Sequence, residues 1–101
     1  PIHVRGALVY NHHLNENGII NKYDAIFNGD KIKFCYLKLP NMIKENVIAF
    51  KNILPDELNI REYVDYDKQF EKGYLEAIRS IMTAIGWTPE RRQRTLEDFW
   101  A

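Results

Sequence analysis

The stretch Ala25-Ile26-Phe27-Asn28-Gly29-Asp30-Lys31-Ile32-Lys33-Phe34-Cys35-Tyr36-Leu37-Lys38-Leu39 decides the fold class. It alternates polar and apolar residues for most of its length, the two-residue period of a strand. Asn28-Gly29 sits between two such runs, and both residues tolerate positive φ, which makes this the strongest short-range hairpin signal. The expectation is a hairpin with residues 25–27 on one arm and 31–39 on the other. Val47-Ile48-Ala49-Phe50 reads as a third strand. A small antiparallel sheet follows.

Upstream, residues 1–5 read as extended, with Ile2 and Val4 alternating against His3 and Arg5. Gly6 opens a predicted helix in which Leu8 and Val9, then His12 and His13, are spaced as successive turns. The cluster at 15–18 ends it, and residues 19–23 add a short turn. Downstream of Pro55 the period changes from two to 3.6. Residues 56–63 suit a short helix. Asp65 or Asp67 caps a longer one running to about Ile85, with Gly86 at its stop. Phe70, Tyr74, Ile78, Ile81, Met82 and Ile85 make its apolar stripe, read as a core face. Lys72, Glu76 and Arg79 point elsewhere. The predicted fold is α+β: a small antiparallel hairpin or sheet, a short N-terminal helix, one long C-terminal helix and an exposed tail. Residues 1–87 form the domain and residues 88–101 the tail.

The bulk properties bound what such a chain does. Its 101 residues make one domain or part of one, with a small core. Hydrophobic residues at 46% and charged residues at 28% are ordinary for a globular protein. A single cysteine, Cys35, excludes a disulfide framework and a Cys-rich zinc site, and a reduced intracellular setting fits. No apolar run reaches the roughly 18–20 residues of a membrane span. The chain opens at Pro1, which fits either a cut from a longer protein or loss of an initiator Met. Net charge is zero, which argues against a nucleic-acid binder, but the distribution is uneven. Residues 1–51 carry seven Lys/Arg against four Asp/Glu, and residues 52–101 carry seven against ten. The histidines His3, His12 and His13 all lie in the basic half.

Catalytic motifs are missing from the sequence. It contains no glycine-rich phosphate loop, no HExxH and no Gly-x-Ser-x-Gly. His12 and His13 are adjacent on a helix and diverge by about 100°, so they do not chelate one ion from one face. Asp65 and Asp67 suit a capping role better than a metal. Cys35 reads as buried packing. No residue of this chain is assigned a catalytic or metal-binding role.

Two segments carry specific meaning. The first is Pro1-Ile2-His3-Val4-Arg5-Gly6-Ala7-Leu8-Val9-Tyr10. It resembles a stretch in the thumb of replicative family B DNA polymerases from large tailed phages, where Pro-Ile-His-Val-Arg-Gly precedes a small or aliphatic residue, Leu and Tyr. The resemblance continues in order along the chain. Asn28-Gly29-Asp30-Lys31 is similar to the family's Asp-Gly-Asn-Lys turn, and Val47-Ile48-Ala49-Phe50 to its Cys-Ile-Ala-Trp strand. Leu54-Pro55-Asp56-Glu57 is similar to its Leu-Pro-Lys-Glu, and residues 65–72 to its segment ending Phe-Gln-Lys. The resemblance implies a part of the thumb that grips primer–template duplex DNA through its phosphates, with the remainder of the polymerase as partner. Catalysis and its Mg2+ belong to a palm that this chain does not contain, so no cofactor is expected here. The implied setting is the cytoplasm of an infected host cell.

The implied phosphate contacts are His3, Arg5, Lys44, Asn46 and Lys72. Arg5 precedes Gly6 at the predicted helix start, where free N–H groups and the helix dipole favour an anion. His3 lies on the same side of the extended stretch. The competing reading pairs Arg5 with an acidic residue of the fold. Lys72 matches a family lysine and stays off the apolar stripe. Two positions depart from the family pattern. Its lysine one turn later is Glu76 here, and its lysine before Cys-Ile-Ala-Trp aligns with Asn46, with Lys44 nearby.

The second segment is Gln93-Arg94-Thr95-Leu96-Glu97-Asp98-Phe99-Trp100-Ala101. Clamp-binding peptides share Gln, two variable residues, an aliphatic residue, two variable residues and two aromatics, and the phage family ends in a similar tail. Gln93, Leu96, Phe99 and Trp100 fit each position, which implies a sliding clamp as partner. One helical turn puts Leu96 and Phe99 on one face, and Thr95 with Asp98 makes a capping pattern. The opposing reading folds Phe99 and Trp100 back onto the parent domain. The alternative function is a free-standing small adaptor that joins DNA to a clamp without catalysis.

Overall fold

The structure, a computed structural model, describes residues 1–84. The predicted stop at Ile85 and Gly86 and the whole tail lie outside the described residues. In chain order the elements are α1 (Ile2–Glu16), β1 (Lys33–Tyr36), β2 (Val47–Phe50), two 3-10 turns (Asp56–Leu58 and Arg61–Tyr63), α2 (Tyr66–Lys72) and α3 (Leu75–Ala84). The α+β class is as expected.

Helix α1 begins four residues before Gly6. The Arg5 N–H donates to the Pro1 carbonyl at 3.1 Å and closes the first turn, so residues 2–5 are helical rather than extended. Five alternating residues also fit two faces of a helix, and packing decides between the readings. Gly6, Val9, Tyr10 and Leu14 form the buried stripe of α1. Gly6 does not start the helix; it lets the helix approach the sheet. A Cβ there would stand 2.8 Å from Phe34 Cε1 and 3.1 Å from the Ala49 nitrogen. The end of α1 falls in the predicted cluster. Gly18 takes φ +65°, its N–H donates to the Asn15 carbonyl, and the Ile19 N–H donates to the Leu14 carbonyl. That bond pair is the Schellman stop, which a glycine enters without strain.

The sheet has two strands, and its pairing differs from the expectation. β1 pairs antiparallel with β2, in the register Lys33↔Phe50 to Tyr36↔Val47. The Asn28-Gly29 turn does form, with the Asp30 N–H donating to the Phe27 carbonyl. Its first arm is nevertheless not a strand. The Asn11 side chain accepts from the Ile26 N–H at 2.7 Å and donates to the Ile26 carbonyl at 2.9 Å. One amide thus takes both backbone groups that a ladder would have used.

The long C-terminal helix is two helices. Asp65 caps α2 by accepting from the Lys68 N–H at 3.1 Å, as predicted. Gly73 then takes φ +78°, and the Tyr74 N–H returns to the Gln69 carbonyl at 3.0 Å. The break re-aims the chain, so that Ala77, Ile78 and Ile81 of α3 are buried while Phe70 stays half exposed. The apolar spacing on either side of Gly73 had concealed the stop, because a glycine inside such a stripe costs only about 1 kcal/mol.

Helix α1 lies against β2, and α2 and α3 pack on β1. All four residues of β2 are buried. The core cluster is completed by Leu54, Leu58, Ile60 and Val64 from the segment holding the 3-10 turns.

Candidate nucleic-acid interface

Two of the predicted contacts, His3 and Arg5, are two residues apart on α1. They point about 200° apart around the helix and meet different neighbours. The side they were expected to share does not exist. The His3 ring lies on the sheet side, 5.1 Å from the Phe34 ring and 6.0 Å from that of Tyr74. Arg5 Nη2 donates to Glu45 Oε1 at 2.8 Å, the acidic partner that the competing reading gave it. The proposed anion site at Gly6 is corrected too. The Arg5 N–H is used within the first turn, and the helix N-terminus lies at Ile2.

Glu45 belongs to the β1–β2 connection, which is held in shape by one side chain. The Asn41 amide donates to the Lys38 and Glu45 carbonyls and accepts from the Ile43 N–H. Within this frame Lys44 takes φ +58°, an uncommon conformation for a residue with a Cβ. The Leu37 N–H donates to the Asn46 carbonyl and extends the ladder. Lys44 and Asn46 are both exposed on either side of Glu45. The fold therefore brings Arg5 to the loop that carries Lys44 and Asn46, forty positions away. The ion pair does not lock Arg5. Its side chain keeps 60% of its exposure, and pairs in solvent contribute about 0–1 kcal/mol.

Lys72 is exposed as the last residue of α2, where its charge also complements the helix dipole. Its neighbours Gly73 and Tyr74 join His3, Lys33, Phe34 and Glu76 around a cavity of about 240 Å3. Glu76 thus places a carboxylate beside the His3 end of the surface. The predicted contacts form two groups, Arg5 with Lys44 and Asn46, and His3 with the segment following Lys72.

Cys35 is fully buried, and burial pushes its thiol up to about 12, so it stays protonated and enclosed. His12 and His13 stack edge to face at 4.9 Å. Burial, with His12 adding a smaller effect, lowers the pKa of His13. Among the described residues, no three His, Cys, Asp or Glu are placed to hold a metal ion. None of the described helices is long and apolar enough to cross a membrane. The clamp-peptide residues Gln93, Leu96, Phe99 and Trp100 lie outside the described residues.

Sequence reading missed Gln69. It sits fully buried among apolar neighbours, one position from the assigned stripe. Its Oε1 accepts from the Tyr36 N–H at 2.6 Å, and its Nε2 donates to the Phe34 and Tyr74 carbonyls at 3.0 and 2.9 Å. The side chain acts as a further strand residue along the outer edge of β1. The only sequence signal was a neutral amide beside an apolar stripe, and that is not specific.

No family model, curated protein or solved structure matches this chain.

Proposed function

We propose that the chain is the C-terminal part of the thumb of a phage-type family B DNA polymerase. It grips primer–template duplex through phosphates, and its terminal peptide tethers the polymerase to a sliding clamp. The observation that carries this reading is a long-range one. Arg5, in the hexapeptide with the most specific resemblance, reaches the loop holding Lys44 and Asn46, the other positions assigned to phosphate in that half of the chain. The contact of Arg5 with Glu45, which lies between Lys44 and Asn46 in sequence, supports that reading. A guanidinium on a surface-exposed pair is free to exchange its carboxylate for a phosphate, which it accepts through two parallel N–H bonds.

The tether is the part most directly tested. The chain titrated with its sliding clamp is expected to bind, with Leu96, Phe99 and Trp100 as anchors. Buried aromatic anchors cost more than about 2 kcal/mol on truncation, so Phe99→Ala should weaken binding about thirtyfold. Equal affinity of the two chains would remove the tail from the tether.

A further inference from the structure

The row that Arg5 begins on α1 continues into two titratable side chains that the phosphate assignment does not use. His12 follows Arg5 by two helical turns, so it lies within about 20° of it around the helix and about 10 Å along it. It is exposed, as Arg5 is. His13 is half-buried, and its ring meets that of His12 edge to face at 4.9 Å. The β1–β2 connection joins both ends of this surface. Its Glu45 takes the Arg5 guanidinium at 2.8 Å and also acts electrostatically on His13.

Four fixed charges frame the pair. Arg5 on α1 and Lys44 on the connection are positive; Glu16, one turn beyond His12, and Glu45 are negative. With neutral imidazoles this surface has no net charge, and neither has the whole chain. A proton taken up by the pair turns both positive at a pH where the carboxylates are still ionised.

We infer, on the reading of Arg5 as a phosphate contact, that His12 and His13 extend the grip along α1 as a second, proton-dependent contact to the duplex backbone. Length favours that partner. Each strand of a duplex carries a phosphate about every 3.4 Å of its axis, so a row about 10 Å long meets more than one of them. Donor chemistry favours it too. A protonated imidazole donates from both nitrogens, and among the described residues neither ring has a hydrogen-bond partner. Two positive rings 4.9 Å apart repel, so the pair takes one proton before two and adds one contact first. Burial, with His12 adding a smaller effect, lowers the pKa of His13, while Glu45 and Glu16 oppose that shift. A phosphate set against the rings favours their charged form. Duplex binding and proton uptake therefore strengthen each other.

Salt titrations of duplex binding at about pH 8 and about pH 5.5, on either side of the ordinary histidine range, test the contact. A His3→Gln chain is used, which leaves the pair as its histidines. The slope of log K against log salt should be steeper by about 0.9 at the lower pH. His12→Gln together with His13→Gln should abolish that increment, with circular dichroism at both pH values checking the fold. An increment that survives in the double variant would overturn the inference. So would no increment in the His3→Gln chain, or no duplex binding at either pH. Arg5→Ala in the same chain separates this contact from the reading beneath it. A shallower slope at about pH 8 with no histidine increment keeps Arg5 on phosphate and removes the pair. A histidine increment beside an unchanged Arg5→Ala slope breaks the row and removes Arg5 from the grip.

Discussion

Gly6 shows how one atom sets the distance between two layers. Its missing Cβ makes room for the Phe34 ring and the Ala49 backbone, and the ring can yield by rotating whereas the backbone cannot. Gly6→Ala therefore sets two effects against each other. Alanine improves helix propensity by about 1 kcal/mol, while overpacking a dense contact costs about 1–3 kcal/mol. The 3.1 Å approach to the Ala49 nitrogen decides for the second. Gly6→Ala should lower the thermal midpoint by several degrees, since about 1 kcal/mol corresponds to 4–8 °C in a domain of this size. An unchanged or raised midpoint in calorimetry would mean that α1 moves off the sheet without loss.

At the scale of elements, the sheet is too small to satisfy its own edges, and helix α2 completes it. The outer edge of β1 gives its Tyr36 carbonyl to the Asp65 N–H and its Tyr36 N–H and Phe34 carbonyl to Gln69. Gln69→Leu keeps the volume but strands the Tyr36 N–H and the Phe34 carbonyl. Each buried unsatisfied group costs about 1–3 kcal/mol, so the expected loss is about 3 kcal/mol or more. Urea unfolding measures it, with Glu71→Leu on the exposed face of the same helix as a control expected within about 0.5 kcal/mol. A Gln69→Leu midpoint close to that of the control would show that water replaces the amide.

For the molecule as a whole, zero net charge sets the expectation for DNA. The chain lacks the long-range attraction that drives non-specific binding, so duplex affinity should fall at or below the range of about 10⁻⁴–10⁻⁶ M at physiological salt. What binding remains should come from local contacts. Arg5→Ala and Lys72→Ala should each reduce the slope of log K against log salt by about 0.9. Glu45→Gln, which releases Arg5 from its carboxylate, should tighten binding by up to about fivefold. Salt titrations of duplex binding measure all three. An unchanged slope in the Arg5→Ala, Lys72→Ala double variant would remove both residues from the phosphate grip.

The sequence by itself determined those features that rest on local chemistry. The Asp65 cap, the glycine-bearing end of α1, the Asn28-Gly29 turn, the burial of Cys35 and the strand at Val47–Phe50 were legible, because each depends on residues within a few positions. So was the exposure of Lys72. Only the tertiary structure decided the rest. Residues 2–5 coil because Gly6 can meet Phe34 and Ala49, contacts that no alternation pattern records. The strand partner of β1 is β2 because Asn11 has already claimed Ile26. The C-terminal helix breaks because αL geometry at Gly73 lets α3 bury Ala77, Ile78 and Ile81. His3 and Arg5 part company because a helix turns them about 200° from each other, whereas an extended chain would have kept them on one side. In each case a contact distant in sequence outweighed a local preference worth only about 1 kcal/mol.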